Sequence, residues 1–161
     1  MKPVSLPLPS QCPACGTKGS VKVCARAGRK CVFRGVAIEL PATLPLTECT
    51  ACGEGWLDDA ECDAWSAAID DAYDAELRSR ACEALAKIEP VTTQRHLEWL
   101  LHLSHGYLSK VRNGAKSPSG MLVGHLALIA ADPRGRIAEL ERFSGWTKPT
   151  PTSEPPSRGG L

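Results

Sequence analysis

The chain has 161 residues, of which 43% are hydrophobic and 23% charged, a globular composition with room for one ordinary domain or two small ones. Its longest apolar run, residues 121–131, is broken by Gly124 and His125 and is too short to cross a bilayer. The opening residues hold prolines where a signal peptide needs an unbroken apolar stretch, so a cytoplasmic protein without membrane contact is expected.

In that reducing compartment, eight cysteines point to metal ligation rather than disulfides. The net charge of +1 conceals a segregation: residues 1–57 sum to +4, residues 58–89 to −7 and residues 90–161 to +4. Blocks of this kind imply modules with different partners rather than a uniform coat for nucleic acid.

Residues 1–10 read as an unstructured lead. Residues 11–57 contain Cys12-Pro13-Ala14-Cys15-Gly16 and Cys49-Thr50-Ala51-Cys52-Gly53. Between them Val21, Val23 and Ala25 alternate with Lys22, Cys24 and Arg26, a turn falls near Gly28, and β-formers recur over residues 31–40. A β-hairpin or three-stranded sheet is predicted. Two residues between cysteines let one tight loop present both sulfurs to one ion, and the glycine after each pair allows a positive φ that turns amides toward sulfur.

Two such loops complete a closed tetrahedral site with no open position, the pattern of one structural Zn²⁺ held by Cys12, Cys15, Cys49 and Cys52. Iron in a rubredoxin-like site is the alternative. Full thiolate ligation leaves a charge of about −2, which Lys18, Lys22, Arg29 and Lys30 can offset. A module this small buries little core, so metal binding is expected to drive its folding. Cys24, Cys31, Cys62 and Cys82 lack a paired spacing and read as small buried apolar residues.

At Asp58 the pattern turns helical. Asp58 and Glu61 have the spacing of a capping box, and Asp59 adds charge favourable to a helix N-terminus. Cys62, Trp65, Ile69, Ala72 and Tyr73 form one apolar stripe; Leu77, Ala81, Ala84, Leu85 and Ile88 form a second, rotated from the first. Residues 58–89 are therefore an acidic connector, either one helix serving two bodies or two helices broken near residues 74–78, and Pro90 ends it. The acidic run over residues 70–74 reads as a solvated helix face, with a basic partner surface as the sharper alternative.

Residues 90–145 show short helical segments separated by turn signals at Ser104, Asn113-Gly114, Ser117-Pro118 and Asp132-Pro133. Leu97, Leu101, Leu103, Leu108 and Val111 have the spacing to close two short helices on each other. Ser104 is expected to cap the second and Gly114 to end it. That helix then exposes His105, Gly106, Tyr107, Ser109, Lys110 and Arg112, a polar, basic face that fits a major groove. Lys110 can reach guanine acceptors. Gln94 opens the first helix, placed to hydrogen-bond a phosphate or to support recognition, and Asn113, Lys116 and Ser117 would lie near the DNA backbone. His96 and His125 read as ordinary surface or core residues, and Trp65, Trp99 and Trp146 as packing residues. Residues 146–161 read as a disordered tail. The predicted class is α+β: an N-terminal zinc-binding β module, a connecting helix and a C-terminal all-α helix-turn-helix domain.

Thr93-Gln94, Leu97, Leu101, Ser104, Leu108-Ser109, Val111, Gly114 and Pro118 resemble the phage-repressor (Cro/CI, or XRE) helix-turn-helix family. With the cysteine module upstream, the order of motifs over about residues 12–145 is similar to the MqsA-type antitoxins, or YgiT-type zinc-finger proteins. There, two Cys-x-x-Cys loops flank a segment like residues 29–35, and an acidic helix precedes the helix-turn-helix. The resemblance implies a zinc-bound N-terminal half that docks on a toxin ribonuclease. It also implies a C-terminal half that dimerises on a palindromic operator and represses its own promoter.

The family's recognition-helix arginine falls on Lys110, which keeps the charge without the bidentate fork. Its base-reading asparagine falls on Gly106, and His102 stands where the turn glycine is usual.

Three functions compete: a dimeric repressor of the antitoxin kind, a stand-alone repressor without a toxin, and an interaction module that neutralises a partner. An enzyme is not expected, because the sequence holds no nucleophile elbow, phosphate-binding glycine loop or catalytic metal pattern.

Overall fold

A computed structural model describes residues 8–25 and 27–145. The lead over residues 1–7, Arg26, and the tail over residues 146–161 with Trp146 lie outside the described residues. The architecture is α+β, with antiparallel strands first and helices after them. The chain divides into two compact units, Met1–Ser79 and Arg80–Leu161.

In the first unit, β1 (Val21–Cys24), β4 (Leu46–Cys49) and β5 (Gly55–Trp56) form one sheet in the order β1-β4-β5. The alternation at residues 21–25 is thus a strand, but its partner lies more than twenty residues away: Val21 faces Cys49 and Cys24 faces Leu46. The segment over residues 31–40 closes on itself instead, as β2 (Lys30–Phe33) and β3 (Val36–Glu39), with Phe33 opposite Val36. Arg34 and Gly35 make the two-residue turn, at φ 49° and 77°. Positive φ at both positions matches the right-handed twist of the paired strands.

Val36 and Ile38 are buried and Val32 and Ala37 exposed, as period-2 alternation requires. The ring of Phe33 meets Tyr73 edge-on at 5.4 Å, and Arg34 lies over both rings.

Helix α1 (Asp59–Ile88) is one unbroken helix. Asp58 and Glu61 form the expected capping box: the Glu61 amide donates to Asp58 Oδ1 at 2.8 Å and the Asp58 amide to Glu61 Oε2 at 3.0 Å. Trp65 and Tyr73 are half-buried, and Leu77, Ala81, Ala84, Leu85 and Ile88 are buried, following the two stripes. Trp65 packs as expected, its indole donating to the Pro45 carbonyl at 2.6 Å with Arg29 over its ring.

Cys62 is exposed, and Cys24, Cys31 and Cys82 are half-buried, so none of these four cysteines is the fully buried residue expected. Cys62 lies in the first turn of α1, at the open end of the stripe it shares with Trp65 and Ile69.

The second unit contains α2 (Gln94–Leu100), α3 (Tyr107–Arg112), α4 (Gly120–Ala131) and α5 (Pro133–Ser144). Its core is drawn from Leu85, Ile88, Leu97, Leu100, Leu108, Val111, Leu122, Leu126, Ile129 and Ile137. Thr93, Ser119 and Asp132 cap α2, α4 and α5, each accepting from the amide three residues on. Pro133 sits at the first position of α5, where its missing N–H is not needed. No helix among the described residues is long and apolar enough to cross a membrane.

Candidate metal centre and the paired helices

Both cysteine loops fold alike because their sequences are alike. In the first, the Gly16 amide donates to the Cys12 carbonyl at 2.8 Å and the Cys15 amide approaches Cys12 Sγ at 3.5 Å. In the second, the Gly53 amide donates to the Cys49 carbonyl at 2.9 Å and the Ala51 amide approaches Cys49 Sγ at 3.4 Å. Gly16 and Gly53 have φ 73° and 77°, the left-handed turn that a β-carbon would strain.

The β1–β4 pairing carries the loops together. The four sulfurs of Cys12, Cys15, Cys49 and Cys52 lie within 4.8 Å of one another, a cluster able to hold one metal ion. Cys12 and Cys52 sulfurs are 3.7 Å apart, and those of Cys15 and Cys49 3.8 Å. A tetrahedron with metal–sulfur bonds of about 2.3 Å has edges of about 3.8 Å, so the cavity between the sulfurs has the right size. None of the eight cysteines forms a disulfide.

Electrostatics favour a cation at the centre. The Ser20 hydroxyl, 3.1 Å from Cys49 Sγ, together with the Cys52 and Ala51 amides, lowers the Cys49 thiol to about 6. Thr17, whose hydroxyl is 3.3 Å from Cys15 Sγ, lowers Cys15 as well. Although the Glu54 amide favours its thiolate, desolvation and the three neighbouring sulfurs push Cys52 up to about 12. Without a cation the fourth sulfur holds its proton against the others; a divalent ion removes that repulsion.

Thr17 and Ser20 were not legible as site residues, although hydroxyls flanking a Cys-x-x-Cys loop are a usable signal. Arg29 is engaged elsewhere, its guanidinium donating to the Cys24 and Leu44 carbonyls.

In the second unit, α2 and α3 are joined by a short turn. Leu97, Leu108 and Val111 are buried between them, with Leu101 and Leu103 half-buried. The Leu103 amide donates to the Glu98 carbonyl at 2.8 Å and the His102 amide to the Trp99 carbonyl at 3.1 Å, which is a Schellman C-cap. His102 takes the left-handed position of that cap, at φ 53°. The turn thus keeps the geometry a glycine would give it.

Ser104 does not cap α3. Its carbonyl accepts from the Tyr107 amide at 3.0 Å, and the N-cap is Gly106, at φ 76° with no side chain to offer. The chain needs two further residues to come out of the Schellman turn before α3 can start. Asn113 is the C-cap and Gly114 follows at φ 78°, ending the helix as expected.

Ser109, Lys110 and His105 are exposed, while Tyr107 is half-buried beneath the Lys116 ammonium at 4.8 Å. Arg112 pairs with Glu89. Asn113 Oδ1 accepts from the Ala115 amide at 3.1 Å, and Gln94 donates to Glu98 Oε1 at 3.1 Å. Trp99 is largely exposed, stacked against His96.

Glu98 is the residue the sequence did not flag: it is 3% exposed, and its carboxylate also accepts from the amides of Gly106 and Leu108, each at 2.9 Å. An acid adjoining the Leu97–Leu101 stripe is the signal that could have found it.

Compared with known proteins, no family model matches this sequence, and no curated protein is significantly similar to it.

Proposed function

We propose that the protein is a zinc-containing transcriptional regulator that binds duplex DNA as a homodimer, with α2 and α3 acting as a helix-turn-helix and α3 entering the major groove. The observation that carries this reading is the two-sidedness of α3. Leu108 and Val111 are fully buried, while Ser109 and Lys110 are exposed on the other side and Arg112, flanking the anchors, pairs with Glu89. A six-residue helix held by two apolar anchors and showing the Lys110 cation outward suits groove recognition better than catalysis.

The metal is a structural zinc. A closed set of four thiolates with edges of 3.7 and 3.8 Å leaves no position for substrate, and cysteine sulfur is a preferred zinc ligand. The order of motifs extends the reading to autorepression in a toxin–antitoxin pair, with the N-terminal unit as the toxin-docking half, in a reducing cytoplasm where paired cysteines serve as metal ligands.

The test is fluorescence anisotropy of the metal-loaded full chain on the duplex upstream of its own start codon. Affinity should fall steeply with salt, and Lys110→Ala should weaken it about tenfold and reduce the salt slope by about one. Binding no tighter than to a scrambled duplex, or insensitive to Lys110→Ala, overturns the reading. One tightly held zinc per chain by elemental analysis is expected; iron or no metal refutes that part.

A further inference from the structure

A carboxylate buried between two short helices needs an explanation. Glu98 adjoins Leu97 and lies near Leu101, where an apolar side chain would pack without the cost of desolvating a charge. Its partners supply the reason. Oε2 accepts from the Gly106 amide, and Oε1 from the Leu108 amide and the Gln94 side chain.

Gly106 and Leu108 are the N-cap and second residue of α3, and the N-cap has no side chain of its own. The amides that open a helix lack intrahelical partners and are normally met by that side chain. Here the acceptor comes from α2. The same carboxylate grips Gln94, one turn back at the start of α2. One charged group therefore ties together the start of α2, the body of α2 and the start of α3.

We propose that Glu98 is a positioning residue of the DNA-reading surface: as the acceptor that α2 supplies to the opening amides of α3, its carboxylate fixes the orientation of α3 and of Gln94 relative to each other. The inference rests on the regulator reading above and adds a residue that touches no DNA. Loss of the clamp lets α3 pivot about its Leu108 and Val111 anchors. Phosphate attraction, which tolerates misorientation, then survives, while groove contacts that demand a fixed pitch do not.

Glutamine is the sharpest substitute. Its carbonyl oxygen can still accept from Leu108, but its amide group meets the Gly106 N–H donor to donor.

The experiment uses the metal-loaded full chain, the upstream duplex and a scrambled duplex of the same length and composition. Glu98→Gln should lower the ratio of the two affinities about tenfold while binding to the scrambled duplex stays within about twofold. A folded Glu98→Gln protein that keeps the wild-type ratio overturns the proposal, as does one that loses both affinities equally.

A second measurement needs neither DNA nor a stable variant. In the wild-type protein, NMR shifts of the Gly106 amide, the Leu108 amide and the Gln94 side-chain amide are followed into acid. One shared midpoint is expected if one carboxylate holds all three, and unrelated profiles refute the clamp. If the wild-type chain does not discriminate between the duplexes, the regulator reading fails, and with it the DNA-reading role; this titration then separates that failure from a failure of the clamp.

Discussion

Asp58 and Glu61 cap one another at the start of α1, and Glu61 Oε1 also accepts from the Thr47 hydroxyl at 3.3 Å. Thr47 is buried on β4, two residues before Cys49. The helix entry is thus fastened to the strand that carries Cys49 of the four-cysteine cluster. Asp58→Ala should cost about 1 kcal/mol, the value of an N-cap. Glu61→Ala removes the reciprocal bond and also leaves the buried Thr47 hydroxyl without this acceptor, a further loss of about 1 kcal/mol. Thermal melting of the metal-loaded chain should rank the variants in that order; the reverse order would show that Glu61 is not the fastening.

The first unit should depend on an ion held by its four clustered cysteines. Around the four cysteines, the buried cluster among the described residues is Cys12, Val21 and Cys49, with Trp56 against it, too little apolar surface to balance the entropy of ordering the loops. A strong chelator, or Cys49→Ser, should therefore unfold the β1-β4-β5 sheet. The helices of Arg80–Leu161, whose buried leucines involve no metal, should persist. Proteolysis followed by mass spectrometry checks this: cuts should appear within residues 11–57 and not within residues 94–145. A sheet that stays protected without metal would show that the cluster is ornamental to folding.

What the sequence revealed and what it hid divide along local and nonlocal physics. The capping box at Asp58, the left-handed glycines at Gly16 and Gly53, and the end of α3 at Gly114 are set by a few adjacent residues, so spacing was enough to foresee them. Convergence of the four sulfurs followed from two like loops, because two Cys-x-x-Cys-Gly pairs in one small module have the spacing of a single four-sulfur site. Strand pairing was ambiguous, since Val21 chooses Cys49 rather than a nearer neighbour, and alternation says nothing about partners. The cap of α3 was misplaced for the same reason: Ser104 is the local candidate, but the acceptor is Glu98, eight residues before Gly106 and on another helix.

Acid should expose the clamp as a stability effect. Burial by itself would raise the Glu98 carboxyl. The amides of Gly106 and Leu108, the Gln94 side chain and the nearby His105 outweigh it and hold the group below its ordinary value of 4.5. The unfolded chain then binds this proton more readily than the native one, so the contribution is fully present above the ordinary value. It is lost as pH falls through the lower native value. The gap in melting temperature between wild type and Glu98→Gln should therefore be widest near neutrality and narrow as pH is lowered to about 3. Loss of metal in acid affects both proteins and cancels in the difference. A gap that is constant with pH would mean that Glu98 is neutral in the native protein.

The turn between α2 and α3 carries a correctable strain. His102 occupies the left-handed position of the Schellman cap at φ 53°, with its amide bonded to the Trp99 carbonyl at 3.1 Å. A side chain in that conformation costs about 1 kcal/mol relative to glycine, while glycine gives back part of the gain through the greater freedom of the unfolded chain. His102 is exposed, so its ring has little burial to lose. His102→Gly should raise stability by roughly 0.5 kcal/mol and leave the two cap hydrogen bonds in place. His102→Val should lower stability by more than 1 kcal/mol, because a β-branched residue fits the left-handed region worst. Chemical denaturation of the full chain reads both changes. If His102→Gly destabilises instead, the imidazole is making a contribution at the turn that its backbone geometry does not explain.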